Sequence, residues 1–464
     1  MEQFTEIISK ITEIVWGLPM IILLLGGGVF LTLKLGFFQF RHLPHILGET
    51  LGKMFKKSDH PGSVSPFQAT TSALAATMGA ANIVGVPVAI ALGGPGSIFW
   101  MWIVALIGMA TKYSEVVLGI RYRETNEKNE YVGGPMYYIR KGLGWKKVAY
   151  FFAFALMLEI IASTMVQANS VAETINGSFG ISPLWTGLVV MLLVGMVVIG
   201  GIKLIGKVTE KLIPVMILAY IAGVLTILII NISEVPQAFL LIFEYAFQPI
   251  SAAGGFLGAG VAAAIRWGLA RGLYSNEAGM GTAPIAHSAA RNDHPARQGF
   301  WGVFEVIMDT LVVCTMTAMA VLTTGAWKEV GPDSAADMVP TAFATIFGSS
   351  LAGSIISLIL FFFVITTVLI IVYYGEKQAE FLFGRKFSLF MRYVYLVAIV
   401  LGAIGGLKFI WQFLDLLLAM IVIPNMIAVV FLSKQVKSIT DDYFRNYLRG
   451  EGESKYRGNG EQQE

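Results

Sequence analysis

Backbone groups freed by a break in an apolar helix could bind a small charged ligand inside this chain. The clearest break lies in residues 65–108, where an apolar run long enough to cross a bilayer is interrupted by MGAAN at 78–82 and by Val86-Pro87. Glycine costs a helix about 1 kcal/mol, and proline lacks the amide donor. Freed backbone groups survive in lipid only where protein or a polar cavity satisfies them. A break at mid-membrane depth therefore indicates a binding site.

The freed groups of this break suit ligands of both charges. Carbonyls that end the first half-helix, from Ala75 to Met78, would coordinate a hard cation such as sodium. Amides at the start of the next half-helix would face a carboxylate with the positive end of a helix dipole. These amides belong to Gly79, Ala80 and Ala81, which lead to Asn82. The alternative is a proline-kinked packing helix, which is common in membrane bundles.

Composition places the chain among all-α, multi-pass membrane proteins. Of its 464 residues 56% are hydrophobic and 14% charged, and the mean hydropathy is +0.70. A window of about 19 residues predicts eleven spans. They lie near 15–33, 66–92, 97–119, 149–172, 185–202, 212–231, 252–288, 299–325, 340–373, 391–406 and 409–433.

The distribution of basic residues predicts the orientation. If the first span runs from outside to inside, 27 of the 33 lysines and arginines fall on the cytoplasmic side. Only Lys10, Lys328 and Lys408 fall outside. This bias predicts an external amino terminus and a cytoplasmic carboxyl terminus.

Several function classes lack their sequence signatures. The single cysteine, Cys314, lies in an apolar run, and the five histidines have no metal-ligand spacing. We find no phosphate-binding GxxxxGK[ST] motif, no repeated filter loop of an ion channel and no nucleophile or metal constellation of an enzyme. A secondary symporter explains the broken spans and the small-residue core best.

Two stretches carry a family resemblance. GGPGSIFWMW at 93–102, followed by Gly108, resembles the signature of the alanine or glycine:cation symporter family, and AIRWGLARGLYSNEAG at 264–279 resembles a second hallmark of the same family. Span count and loop lengths agree with it over about residues 1–435. The chain is therefore identified as a member of that family, of the sodium:alanine symporter type.

The resemblance implies a fold like that of the leucine transporter LeuT, with two inverted five-helix repeats preceded by one extra helix. The extra helix, with the external amino terminus and a cytoplasmic loop, would occupy 1–64, the repeats 65–231 and 232–433, and a cytoplasmic tail 434–464. The first helix of each repeat is then 66–92 or 252–288, the two spans that read as broken.

The resemblance also implies a function and its partners. The expected activity is sodium-coupled import of small neutral amino acids, alanine or glycine foremost, across a bacterial inner membrane. Sodium would be co-transported, membrane lipids would surround the protein, and no nucleic acid would bind. A monomer is plausible, although the sequence leaves the oligomeric state open.

By the same resemblance, a second set of sodium ligands comes from the eighth core helix. Thr366 and Thr367 stand at that place, where hydroxyls would meet the carbonyls of Ala75 and Met78. The alternative is that each threonine bonds a carbonyl of its own helix.

Two amides are candidates for the substrate itself. Asn82 occupies the position of a ligand-binding asparagine in the leucine-transporter relatives, although an interhelical hydrogen bond is the alternative. Gln167 lies on the third core helix, which lines the pocket in such folds, and it could meet the ammonium group.

The second broken span is less clear. Gly254, Gly255 and Gly258–Gly260 allow close packing, so we place the unwinding between Gly268 and Gly272. Trp267 beside Gly268 would make a small apolar-walled pocket for the substrate.

Charged residues in the spans predict two ion-pair arrangements. Arg266 could hold a substrate carboxylate, but Arg266 and Arg271 are expected to form a gating or structural network with acids in or near the spans. The candidate acids are Glu159, Glu277, Glu305 and Asp309. Lys112 and Glu115, one turn apart, are expected to pair locally.

The coupling ion and the substrate each have an alternative. Proton coupling through Glu159 or Asp309 is an alternative to sodium. The substrate could also be serine or a larger neutral amino acid such as glutamine.

Overall fold

The computed structural model describes residues 12, 14–56, 60–79, 81–248, 260–405, 408–450 and 454–456. Within these residues seven helices are long and apolar enough to cross a membrane, and one bent pair makes an eighth crossing. Helices of the membrane region follow in the order α1 (Leu18–Lys34), α2 (Pro66–Thr77), α3 (Ala81–Gly93), α4 (Ser97–Arg121), α5 (Lys146–Phe179), α6 (Pro183–Val198), α7 (Gly201–Ile230), α8 (Val261–Asn276), α9 (Ala283–His287), α10 (Pro295–Thr323), α11 (Ser349–Phe383), α12 (Arg385–Ile404), α13 (Lys408–Phe431) and α14 (Ser433–Asp442).

Short elements connect these helices. One antiparallel strand pair places Glu124 opposite Val132. The short helices and strands are Phe38–Arg41, Leu43–Thr50, Leu51–Lys53, Glu124–Thr125, Tyr131–Val132, Pro135–Gly142, Ile232–Glu234, Val235–Phe247, Ala326–Glu329, Pro332–Asp337, Met338–Phe347 and Tyr443–Tyr447.

The helices are compatible with the eleven predicted spans. The two broken spans appear as α2 with α3 and as α8 with α9. Of the remaining nine, α1 and α6 are apolar but shorter than the seven long helices. The all-helical membrane architecture is therefore as predicted.

The first broken helix begins and ends at residues whose chemistry explains the boundary. Ser65 caps α2 by accepting from the Gln68 amide, while the Gln68 side chain accepts from the Ser65 amide, and Pro66 follows at the first helical position. At Met78 the backbone leaves the helix with φ −82° and ψ 82°. The axis of α3 is bent by 48° from that of α2.

The second broken helix unwinds later than predicted. Gly268 and Gly272 lie inside the continuous helix α8, where the lack of a side chain admits α4: a Cβ on Gly268 would lie 2.3 Å from the Ser97 carbonyl oxygen. The predicted unwinding at Gly268–Gly272 is wrong. Residues 277–282 are unwound instead, between α8 and α9. Gly254, Gly255 and Gly258 lie outside the described residues.

The carboxyl-terminal helix packs against the face where α2 begins and α4 ends, here called the basic face. Thr440 of α14 is hydrogen-bonded to Tyr113 of α4 at 2.8 Å, and Asp442 lies 3.2 Å from Nε2 of the buried His294. The Ala296 amide donates to Nδ1 of His294, so Nε2 carries the proton. Burial lowers the pKa of His294, which favours this neutral form.

Candidate functional site

The first break frees a carbonyl that a distant threonine meets. The Gly79 amide bonds Thr77 and the Asn82 side chain instead of continuing the helix to Ala75. The Ala75 carbonyl accepts a hydrogen bond of 2.8 Å from Thr367 on α11. The end of α2 therefore lies against α11 at this point.

The two neighbouring threonines of α11 make different contacts. A Cβ on Gly79 would lie only 2.9 Å from the Thr367 hydroxyl oxygen. Thr366 donates to Phe363, 2.9 Å away in its own helix. Thr367 therefore contacts the first break, whereas the Thr366 hydroxyl is hydrogen-bonded within its own helix.

A small cavity lies beside the break. Its volume is about 40 Å³, which is room for about three water-sized groups when one water needs roughly 10–15 Å³. The first break, α5, the second break, α11 and α13 all contribute to its lining. Lining residues include Ala76, Thr77, Gly79, Ala81, Glu159, Ser163, Gln167, Tyr274, Glu277, Thr282, Thr367 and Leu418. Ala80, predicted to bind a carboxylate, lies outside the described residues.

Gln167 presents an unpaired acceptor to this cavity. Its Oε1 atom is buried and has no hydrogen-bond partner among the described residues. A Cβ on Gly79 would lie 3.7 Å from the other amide atom, Nε2, so the side chain faces the break. A buried acceptor without a donor costs about 1–3 kcal/mol. A ligand carrying an N–H group would remove that cost.

Asn82 connects the first break to a buried carboxylate. Its Nδ2 atom donates to Asp309 at 2.7 Å and lies 3.2 Å from Ser275, while its Oδ1 accepts from the Gly79 amide. Asp309 also accepts from Ser275 at 2.6 Å and from Thr310 at 2.8 Å. These residues come from α3, α8 and α10 and form what we call the Asp309 cluster: Asn82, Ser275, Asp309 and Thr310.

Sequence reasoning named Asp309 as a partner for arginine and as a candidate for proton coupling, but not as a partner of Asn82. It lies in the π-helical stretch Ile307–Cys314 of α10, and such wide turns are frequent at functional sites. The signal available in the sequence was an acidic residue in the middle of an apolar span, which is expensive without a function.

The second break has its own backbone signature. Glu277, Gly279 and Gly281 have φ values of 54°, 99° and 79°, in the left-handed region that favours glycine. Thr282 donates to the Glu277 carboxylate at 2.6 Å. Both Glu277 and Thr282 line the cavity, so the two breaks meet there.

Two charged residues of α4 hold the ends of the second break. Lys112 donates to the Asn276 carbonyl at 2.9 Å, and Glu115 accepts from the Gly281 amide at 3.0 Å. Asn425 of α13 adds a bond of 2.8 Å to the Gly279 carbonyl. The unwound residues therefore have partners along their length.

The predicted local pair of Lys112 and Glu115 is wrong. Lys112 forms an ion pair of 2.9 Å with Glu305 of α10, and His287 lies 3.0 Å from the other Glu305 oxygen. All three side chains are buried. The ion pair therefore connects α4 and α10 next to the end of α9.

The two predicted intramembrane arginines flank one indole. The Arg266 and Arg271 guanidinium carbons lie 5.7 Å and 5.5 Å from the Trp267 ring centroid. None of the four predicted acids pairs with them among the described residues. Glu305 pairs with Lys112, Asp309 belongs to its cluster, and Glu159 and Glu277 line the cavity. The expected pairing with these four acids is therefore absent among the described residues, and the gating or structural role of the two arginines stays a prediction.

Trp267 and Gly268 lie away from the cavity found here. A Cβ on Gly93 would lie 3.1 Å from the Trp267 Cβ atom, and Gly268 contacts Ser97 of α4. Both residues pack α8 against neighbouring helices. Neither is among the described residues that line the cavity.

Comparison with known proteins gives the family. The model of the sodium:alanine symporter family matches residues 1–457. An uncharacterised transporter, YflA of Bacillus subtilis, is 51% identical over 96% of this chain and 94% of its own. The sodium/alanine symporter AgcS of Methanococcus maripaludis is 42% identical over 94% of this chain and 96% of its own.

A solved structure gives the fold. The transporter MhsT, crystallised with L-phenylalanine, superimposes with a TM-score of 0.62 over 82% of this chain and 92% of its own, at 12% identity. This likeness confirms the predicted LeuT-like fold. Together with the family model and the membrane-spanning helices, it makes the protein a multi-pass membrane transporter and not an enzyme: the chain belongs to the sodium:alanine symporter family.

Proposed function

We propose that this chain imports small neutral amino acids, alanine or glycine foremost, together with sodium. The observation that carries the proposal is the contact of Thr367 with Ala75 at the first break, beside a cavity of about 40 Å³. The family membership supports the same activity. The basic face would be cytoplasmic, in agreement with the excess of lysine and arginine there.

The sodium site of this proposal lies at the end of α2. The Ala75 carbonyl and the Thr367 hydroxyl, 2.8 Å apart, are neutral oxygen ligands on two different helices. The Met78 carbonyl, at the residue where α2 ends, would be a third ligand. Sodium bound between α2 and α11 would fix the break and reduce the ordering cost of binding the amino acid.

The amino acid would bind in the cavity. Amides of Ala80 and Ala81 would receive its carboxylate at the start of α3, and the Gly79 amide would join them by leaving the Asn82 oxygen that it bonds in this structure. The unpaired Gln167 oxygen would accept from its ammonium group. At about 40 Å³ the cavity would have to widen for any amino acid, and it would widen least for a hydrogen or methyl side chain.

Transport would follow alternating access. Binding of both solutes favours closure, and rocking of a helical bundle then opens the site to the other side. A membrane potential contributes about 2.3 kcal/mol per charge at 100 mV, so one sodium ion is sufficient for accumulation.

Proton coupling is the second candidate, and the Asp309 cluster favours it. Asp309 is buried and contacts Asn82, which bonds the Gly79 amide at the first break. A proton exchanged at Asp309 would therefore act on the same segment as sodium. A larger substrate such as glutamine would require the cavity to widen.

The deciding experiment is radiolabelled alanine uptake into proteoliposomes, with and without an inward sodium gradient. We expect wild type to require sodium and Thr367→Val to need a much higher sodium concentration. Thr366→Val is the matched control, because it is an isosteric change at the adjacent residue whose hydroxyl bonds its own helix.

The alternatives give different results. Uptake that persists without sodium and collapses with the pH gradient would replace sodium by protons. An absence of alanine uptake under either condition would call for competition with glutamine and glycine.

A further inference from the structure

A second, larger cavity opens on the basic face, away from the first break. It lies between the segment after helix Leu51–Lys53, the start of α2 and the start of α7, and its volume is about 710 Å³. We call it the basic cleft and define it by Lys56, Lys203, Lys207, Arg291, Glu210 and Phe55.

The basic cleft has an excess of positive charge. Four of its lining residues are lysine or arginine, and one, Glu210, is acidic. Lys203 and Lys207 lie one turn apart on α7, so their ammonium groups project from one face and repel each other. Both side chains are exposed. An anion between them would remove this repulsion.

A neighbouring cleft on the same face shares Lys56 and Arg291 with the basic cleft but contains two acidic residues. Its volume is about 380 Å³, and its lining includes Glu49, Asp293 and Arg297. Arg297 lies 3.1 Å from Glu49 and 2.7 Å from Asp293, and His60 lies 3.4 Å from Asp293. Glu49, Asp293 and Arg297 of that cleft are therefore paired within the protein, whereas Lys203 and Lys207 of the basic cleft have no ion pair among the described residues.

The basic cleft also has an apolar side. Phe55 is 87% exposed and its ring lies 5.8 Å from that of Phe67, which lines the same cleft. Leu51, one turn before Phe55, and Leu204, next to Lys203, are also exposed. Cations beside exposed apolar groups at the end of a membrane helix match an anionic amphiphile, because phosphate and acyl chain each meet a suitable surface.

We propose that the basic cleft binds the headgroup of an anionic phospholipid. The phosphate would lie among Lys56, Lys203 and Lys207, and an acyl chain would contact Phe55. Gly206 of α7 already packs against Gln68 of α2, since an added Cβ would lie 3.2 Å from the Gln68 Cβ. A lipid bound in the cleft would contact both helices beside this point and stabilise their packing.

The test is direct lipid binding by the purified full chain, measured by native mass spectrometry. The probes are phosphatidylglycerol and phosphatidylcholine with the same acyl chains. Each lysine near an anionic surface contributes about 1 kcal/mol, so Lys203→Gln with Lys207→Gln should weaken phosphatidylglycerol binding about 30-fold. Glu210→Gln should strengthen it about fivefold.

The matched control is Lys146→Gln with Lys147→Gln. These lysines are also exposed, adjacent to the same face and in the first turn of a membrane helix, but they do not line the cleft. We expect the control to bind phosphatidylglycerol like wild type. Equal loss in both double variants, or no loss in either, would overturn the proposal.

Two further arms identify the ligand. If inorganic phosphate alone binds the delipidated protein at least as tightly as phosphatidylglycerol does, the acyl chain contributes nothing, and the cleft is a site for free phosphate and not for lipid. Equal binding of phosphatidylcholine would likewise overturn the assignment. Because binding is measured without transport, failure of the transport proposal would leave this result interpretable.

Discussion

The two broken helices differ in the groups that hold their unwound residues. The first break is held by the neutral side chains of Thr367 and Asn82, and it faces the unpaired oxygen of Gln167. The second break is held at its two ends by charged residues of α4, Lys112 and Glu115.

From this difference we infer that the first break binds ligands and that the second break has a structural role. Lys112 is paired with Glu305, and the hydrogen bonds of Lys112 and Glu115 hold the backbone at residues 276 and 281 in place. At the first break the Gln167 oxygen has no hydrogen-bond partner among the described residues. The Ala75 carbonyl accepts from the Thr367 hydroxyl, and a cation could coordinate that carbonyl instead. We therefore expect changes at the second break to reduce stability and changes at the first to reduce transport.

The largest effect is expected from Lys112→Met. The change leaves Glu305 buried without its cation, and breaking a buried pair in this way costs about 3–5 kcal/mol. The midpoint of thermal unfolding in detergent should fall strongly. Lys112→Met combined with Glu305→Gln is the control and should recover most of the loss. A double variant as unstable as the single one would assign the effect to the bond with Asn276 instead.

A pair of glycine substitutions compares the two breaks directly. Gly281→Ala should destabilise the protein, because its φ is +79° and a Cβ would lie 2.4 Å from Pro135. In Gly79→Ala the new Cβ would lie 2.9 Å from the Thr367 hydroxyl oxygen. This variant should lose uptake, while its free energy of unfolding should fall by no more than about 1–3 kcal/mol. Unfolding midpoints and alanine uptake are measured on both variants. Equal loss of stability would remove the distinction between the breaks.

Gln167→Leu should separate stability from transport at the first break. The change removes a buried acceptor that has no partner among the described residues, so stability should stay equal or rise, by up to about 1–3 kcal/mol. The KM for alanine should rise by about tenfold or more if Gln167 meets the ammonium group. Unchanged KM would exclude Gln167 from the substrate site.

Physical patterns in the sequence were sufficient for the all-helical membrane architecture and for the first break, whereas the LeuT-like topology came from the family resemblance. Long apolar runs and basic loops follow directly from the lipid surroundings of a membrane protein. MGAAN at 78–82 interrupts such a run locally, so a hydropathy window of about 19 residues is sufficient to find it. The second break was misplaced because glycine has two uses. Gly268 and Gly272 admit a neighbouring helix, whereas Gly279 and Gly281 adopt positive φ. Sequence spacing does not separate the two.

The sequence also did not predict which groups the buried charged side chains contact. Lys112 and Glu115 lie one turn apart, yet each reaches a different element, because Glu305, Asn276 and Gly281 arrive from later parts of the chain. The same holds for Thr366 and Thr367, where the rotation of α11 decides which hydroxyl meets α2. Local spacing identifies candidates, and packing selects among them.

The smallest effect is expected from Glu115→Gln. The amide oxygen can still accept from the Gly281 amide, but a neutral acceptor replaces a charged one, which should reduce stability by about 1 kcal/mol. Uptake at saturating alanine should stay close to wild type, because Glu115 holds the far end of the second break and is not among the described residues that line the cavity. The measurement is the unfolding midpoint beside the maximal uptake rate. If uptake falls while the unfolding midpoint stays unchanged, the second break moves during transport and does not have a purely structural role. Both breaks would then change conformation in the transport cycle, and they would differ only in the step at which each one moves.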